Sequence, residues 1–400
     1  MPKPVEVKKI AEAIEKVVER QKDFLAHSPA NPFPLGTAEG RFLFDGMGTK
    51  FLDFSCADGV MVLGHQFRAI HGAMQEFLRY HHVTTLVPGG HLYPPVIAYA
   101  SALANSFARP DLKVTFALDE HTALAEAVHQ ARSLTYRNRT LVVAGDNLWY
   151  ATDYPDRVDT IVEGNMLYGE SWDVYAALVI SLTDWEGRPY DRTWLTDIVA
   201  QASACGTRVI INESRTGFGR TFEHFWGQQF YGVQADYTVV GGPLGGGFPL
   251  GAVIAPEALT PAPSRVPPLS GDLVACRVGL AVLTEIDESL ISEATKLALV
   301  LSDGLDSLVD EFPDVVERAW GVGLQQSLVM KDPDDAREFV QRCFQAGLYL
   351  SDPRGRSVYM TPALTSTAAE IQLGIDVMAG VLMAWADPSA GADGDQSAIV

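Results

Sequence analysis

Asp119, Glu120 and His121 set two carboxylates and an imidazole side by side at the head of the segment TALAEAVHQAR. Small and apolar residues recur there at helical spacing, so a helix is expected from about Thr122 to Thr135. In that position Asp119 suits the N-cap, where a carboxylate accepts a free backbone N–H, and Glu120 suits the first turn, near the positive end of the helix dipole. The same triplet could instead move protons. His121 has the unperturbed pKa nearest neutrality and would carry the proton, with Glu120 or Asp119 orienting it. A metal site is disfavoured, because three adjacent residues do not easily converge on one ion and no second cluster has ligand spacing. The other notable stretch is Asp236 to Ala252, DYTVVGGPLGGGFPLGA, which reads as a buried strand, a glycine-rich loop and a second apolar segment. Gly245 to Gly247 permit close approach and unusual backbone angles, so a ligand or a second subunit is expected to press on this loop.

The elements that must position these residues follow from the apolar pattern. Residues 4 to 26 read as an amphipathic helix suited to packing or dimer contact. GRFLFDGMGTKFLDF alternates like a hairpin, with Asp45-Gly46 at its turn. Helices are expected over 67 to 82 and 96 to 107. The pattern then changes to strands (KVTFAL, TLVVAG, AALVISL, RVIINE, YTVV and GAVIA) interleaved with helices near 122 to 135 and 192 to 204. Short apolar strands alternating with helices indicate a parallel-rich sheet covered on both faces, an α/β large domain. Two long helical stretches follow from Gly271, and then a smaller α+β part with strand LQQSLVM and helices over 336 to 346 and 367 to 385. The division is thus 1–66 for an N-terminal helix and hairpin of the small domain, 67–275 for the large domain, 276–386 for the C-terminal helices and small α+β domain, and 387–400 for a small, polar tail expected to be disordered.

The chain of 400 residues carries 50 acidic and 30 basic side chains, a formal net charge of −20. That balance speaks against a nucleic-acid or anionic-membrane surface and suits a soluble protein. Cys56, Cys205, Cys276 and Cys343 are widely spaced in apolar or helical contexts, so they read as reduced packing residues of a cytoplasmic protein. No run approaches 18 apolar residues and no apolar leader segment stands at the start, so a membrane span and secretion are not expected.

Several motifs resemble those of the class III aminotransferases, the fold-type I pyridoxal-phosphate (PLP) family that includes glutamate-1-semialdehyde aminomutase. The resemblance covers about residues 30 to 385. The glycine-rich stretch is similar to D-x-x-x-x-G-K-x-x-G-G-G-x-P-x-G-A, whose lysine carries the cofactor; here that position is Gly242. RVIINESRTGFGR resembles I-x-D-E-V-x-T-G-F-G-R, whose aspartate faces the pyridine nitrogen; here it is Asn212, while Glu213, Thr216 and Gly217 to Arg220 are kept as an expected buried turn. VTFALDEHTALAEAVHQAR resembles a segment whose S-G-T turn holds the cofactor phosphate at a helix N-terminus. Asp119, Glu120 and His121 replace it, and two carboxylates would repel a dianion. The family's stacking aromatic would fall near Asn147, with Trp149 and Tyr150 close by, and its phosphate-reaching threonine would fall at Pro268. His65, in VMVLGH, matches a structural motif of the family rather than a catalyst.

The resemblance implies a large mixed, mostly parallel sheet domain with a smaller α+β domain built from both termini, and a homodimer with its cleft at the interface. Four cofactor anchors altered together imply that PLP is absent. The leading expectation is therefore a cofactor-independent enzyme doing acid–base chemistry (a cyclisation, dehydration, isomerisation or decarboxylation) in a specialised biosynthetic pathway. Its catalytic residues would be His121, Glu120, Asp119 and Glu213. A small, amine-bearing substrate would meet Asp146, Asn147, Trp149, Tyr150, Asn212, Arg215 and the Gly242 loop. Two alternatives stand beside it: a non-catalytic subunit paired with an active, lysine-bearing aminotransferase, and a PLP-dependent aminotransferase or aminomutase with relocated anchors.

Overall fold

The computed structural model describes residues 35–80, 93–107, 109–143, 157–165, 169–221, 223–260 and 270–386, and Lys16. The expected N-terminal helix and C-terminal tail lie outside these residues. In chain order the chain opens with strands β1 (Leu35–Glu39), β2 (Phe42–Asp45) and β3 (Lys50–Asp53), followed by helices α1 (Arg68–Tyr80) and α2 (Pro94–Asn105). Next come β4 (Leu112–Ala117), α3 (Glu120–Thr135), β5 (Arg139–Val143), β6 (Val158–Ile161), β7 (Tyr175–Ser181), α4 (Arg192–Ala204) and β8 (Arg208–Asn212). The short helix α5 (Gly227–Tyr231) leads to β9 (Tyr237–Val240) and β10 (Gly251–Pro256). The C-terminal part holds α6 (Leu273–Glu285), α7 (Glu288–Glu311), β11 (Val316–Val322), β12 (Gln325–Met330), α8 (Pro333–Gln345), β13 (Leu348–Tyr349), β14 (Ser357–Met360) and α9 (Ala368–Ala386).

Seven strands make the large sheet in the order β4-β10-β9-β8-β7-β5-β6. It is parallel from β9 to β6, while β10 runs antiparallel to both β9 and β4. Every residue of β7 is buried, because both faces of the sheet are covered. Val179 packs on one face with Ala123, Ala127 and Ala131, a stripe of small residues on α3. Its neighbours Leu178 and Ile180 point the other way, toward Trp194, Leu195 and Ile198 of α4.

Two small sheets complete the fold. The meander β1-β2-β3 takes β13 in parallel beside β3, which brings the chain's early and late parts together. The hairpin turn forms where its residues suggest: Asp45 Oδ1 accepts from the backbone N–H groups of Met47 and Thr49, each at 2.8 Å. Strands β11, β12 and β14 form the other sheet. All four cysteines are free thiols, and Cys56, Cys276 and Cys343 are buried.

The glycine-rich loop is pressed by the chain itself. A Cβ on Gly246, whose φ is +57°, would lie 2.7 Å from Val278 and 2.9 Å from Val282 of α6. Tyr99 of α2 donates its hydroxyl to the Leu244 carbonyl at 2.6 Å. Close packing of two helices on the loop, rather than a ligand or a partner, accounts for glycine at 246.

Candidate functional site

The C-terminal ends of β8 and β9 meet the N-terminal end of α3, the edge at which open α/β sheets present their sites. Asp119 is the N-cap of α3 and accepts from the Thr122 backbone N–H at 2.8 Å and from the Thr122 hydroxyl at 2.7 Å. Burial alone would raise its pKa, but these two bonds and the neighbouring His121 outweigh it and hold the carboxyl below its ordinary value. Capping thus accounts for Asp119. His121 is exposed on the first turn of α3.

Glu120 is half-buried and turned toward β8: its Oε1 accepts from the Asn212 amide at 2.7 Å. The other end of that amide, Oδ1, accepts from the Ser214 backbone N–H at 3.0 Å. Ser214 in turn accepts through its hydroxyl from the Gly241 N–H at 2.8 Å. A Cβ on Gly241 would lie 2.7 Å from the Glu120 Cβ, so the approach of helix α3 to the strand β9 exit requires glycine there. Glu120, Asn212, Ser214 and Gly241 therefore form one packed unit directly beside Gly242.

Glu213 does not face this edge. Its side chain is fully buried, and its two oxygens accept from the Thr216 hydroxyl (2.7 Å), the Gly227 N–H (2.9 Å) and the Gln228 N–H (2.7 Å). Burial raises its pKa despite those bonds. It ties the end of β8 to the first turn of α5. Arg215 is half-buried, with Nη1 donating to the Asp184 carbonyl at 3.4 Å. Asp146, Asn147, Trp149 and Tyr150, and also Pro268, lie outside the described residues. His65 bonds Asp53 through Nε2 at 2.8 Å, within the small sheet region.

One cluster escaped the sequence reading. Cys56, Ala57 and Asp58 all have positive φ (43°, 54° and 59°), a run that non-glycine residues rarely adopt. The turn carries Val60 toward Gly242 and aims Asp58 at Arg354. Arg354 is buried between aromatic rings, its guanidinium carbon 3.6 Å from the Tyr359 ring centroid and 4.5 Å from that of Trp185, with Nη1 on the Trp185 carbonyl at 2.7 Å. Its residues come from three distant segments, 296 positions apart between Asp58 and Arg354, and no local pattern announces them.

The family profile of the class-III aminotransferases matches residues 182–382. The chain belongs to the class-III aminotransferase family. Among its relatives are the acetylornithine aminotransferase of Gloeobacter violaceus, 27% identical over 86% of this chain and 91% of that protein, and that of Streptomyces coelicolor, 27% identical over 92% and 96%. The S-selective transaminase from an Arthrobacter species has a similar fold, with a TM-score of 0.83 at 18% identity over 94% of this chain and 99% of that one. So does the taurine:2-oxoglutarate aminotransferase from Bifidobacterium kashiwanohense, solved in complex with PLP and glutamate, with a TM-score of 0.83 at 19% identity over 94% and 98%. The expected fold, a large mixed sheet on the PLP-transferase plan, is the fold observed.

These findings correct two expectations. Relatives named as aminotransferases over nearly the whole chain overturn the reading of a PLP-free lyase or isomerase, and with it the expected absence of cofactor. The structure supplies the physical reason. The four proposed acid–base residues do not converge: Asp119 is spent on a cap, Glu213 on a buried bracket, and His121 points to the surface, which leaves only Glu120 at the edge. Gly242 has no amine to offer, and the Asn212 amide gives its N–H to Glu120.

Proposed function

We propose that this protein is a PLP-dependent aminotransferase that moves an amino group between small, amine-bearing molecules and carbonyl acceptors. The supporting observation is the match of the family profile to residues 182–382, reinforced by relatives named as acetylornithine aminotransferases that align over 86% to 92% of the chain. When bound, PLP supplies the electron-accepting ring on which amino groups are exchanged. The chain's own residues supply the frame. Glu213 holds β8 against α5, Asn212 orients the Glu120 carboxylate, and the Asp58–Arg354 pair joins the small domain to the loop that carries Trp185. Glu120 gives the edge a negative charge suited to a cationic amine. Incubating the protein with PLP, 2-oxoglutarate and a panel of amines should yield glutamate with at least one donor. No glutamate from any donor at saturating PLP, from protein shown to be folded, would overturn the reading.

A further inference from the structure

Among the described residues, no lysine stands at the site that would hold the cofactor. Gly242 leaves β9 in a turn with φ +54°, and a Cβ placed on it would have only ordinary contacts, 3.5 Å from the Ser214 carbonyl oxygen and 3.7 Å from Val60. No lysine is among the neighbours that such a Cβ would meet. None of the nine lysines lies between Lys113 and Lys296, the span that contributes β5 to β10. Lys113 is at the far end of β4: its partner in β10 is Ala255, whereas the site end of that pairing is Ala117 with Gly251. Four residues of strand separate the two ends, about 13 Å at roughly 3.3 Å per residue. Lys113 also faces Glu257 at 3.5 Å. Lys50 lies 4.0 Å over the Phe42 ring, Lys296 is exposed and paired with Glu293, and Lys331 is exposed.

We propose that this chain holds its pyridoxal-type cofactor without a covalent bond, as a ligand that exchanges with the medium. The inference rests on the aminotransferase reading and narrows it: the cofactor behaves as a dissociable co-substrate whose occupancy follows its free concentration.

The test uses the full-length purified protein. PLP is added to saturation, the excess is removed on a rapid desalting column, and borohydride, which fixes lysine-bound pyridoxal irreversibly, is added before denaturation and intact-mass analysis. Equilibrium dialysis against PLP runs in parallel. Saturable binding by dialysis with no stoichiometric mass increase after borohydride is the expected result. Gly242→Lys, assayed in the same way, should gain one adduct per chain; the wild-type measurement decides the question if that variant does not fold. One stoichiometric adduct on a single wild-type lysine would overturn the inference and leave the aminotransferase reading intact. A second copy of the chain brings only the same nine lysines, so a lysine donated across a dimer is detected too. Absence of any binding by dialysis would overturn both.

Discussion

Replacing Glu213 with Gln separates a structural carboxylate from a catalytic one. Three donors converge on its two oxygens: the Gln228 N–H on Oε1, and the Gly227 N–H and Thr216 hydroxyl on Oε2. A glutamine has one acceptor oxygen and one NH₂. If its oxygen takes the Oε1 place, the Gly227 N–H faces the NH₂; if it takes the Oε2 place, the Gln228 N–H does. Either way one backbone N–H at the start of α5 is orphaned in a fully buried site. An unsatisfied buried donor costs roughly 1–3 kcal/mol, and the surviving bonds lose their charge assistance, while the neutral amide avoids the burial of a charge that raises the Glu213 pKa. The orphaned donor dominates, and we expect a net loss of about 2 kcal/mol. Urea unfolding followed by Trp fluorescence should show a lower midpoint with an unchanged slope. Trp226, buried at the head of α5, is one of the seven tryptophans that report the transition. A variant with the wild-type midpoint that has lost amino transfer would refute the bracket role and return Glu213 to the catalytic residues.

Three further outcomes follow from the site and its supports. Asn212→Asp should destabilise the protein, because it sets a carboxylate against Glu120 in place of a 2.7 Å hydrogen bond; Glu120→Gln should relieve the loss, and a double-mutant cycle by thermal unfolding showing no coupling would break the pair as a unit. Gly241→Ala drives a Cβ to 2.7 Å from the Glu120 Cβ and should lower the melting temperature, while Gly380→Ala, on the exposed face of α9 with nothing within 4 Å, should stabilise by about 1 kcal/mol; the opposite order by calorimetry would contradict the close approach of α3. The third concerns pH. Burial would raise the Glu370 pKa, but the Arg41 guanidinium and the Thr367 donors outweigh it, so the folded pKa lies below the ordinary 4.5. The stability contributed is full above 4.5 and is lost as pH falls through the lowered value. Glu370→Gln should therefore flatten the acid limb of a stability–pH profile, and an unchanged acid limb would sink the assignment.

The residues alone determined a good deal of this protein. Period and turn chemistry placed most described helices and strands: α4 spans 192 to 204 as read, and Asp45 turns the β2–β3 hairpin. They also sufficed for the family, because its motifs are written in contiguous stretches. Strands β1, β6, β11, β13 and β14 went unread for a physical reason. VERAWGV mixes buried and half-exposed positions without clean alternation, β13 is two residues long, and such segments become strands only when a neighbour supplies their hydrogen bonds. What each polar residue does was decided by tertiary structure. Asp119 was legible as a cap because its partner is three residues away. Glu120 and Asn212 are 92 positions apart, Glu213 is completed by α5, and Asp58 finds Arg354 across nearly three quarters of the chain. A carboxylate's role depends on which donors surround it and how much water is left, and both depend on how distant segments meet.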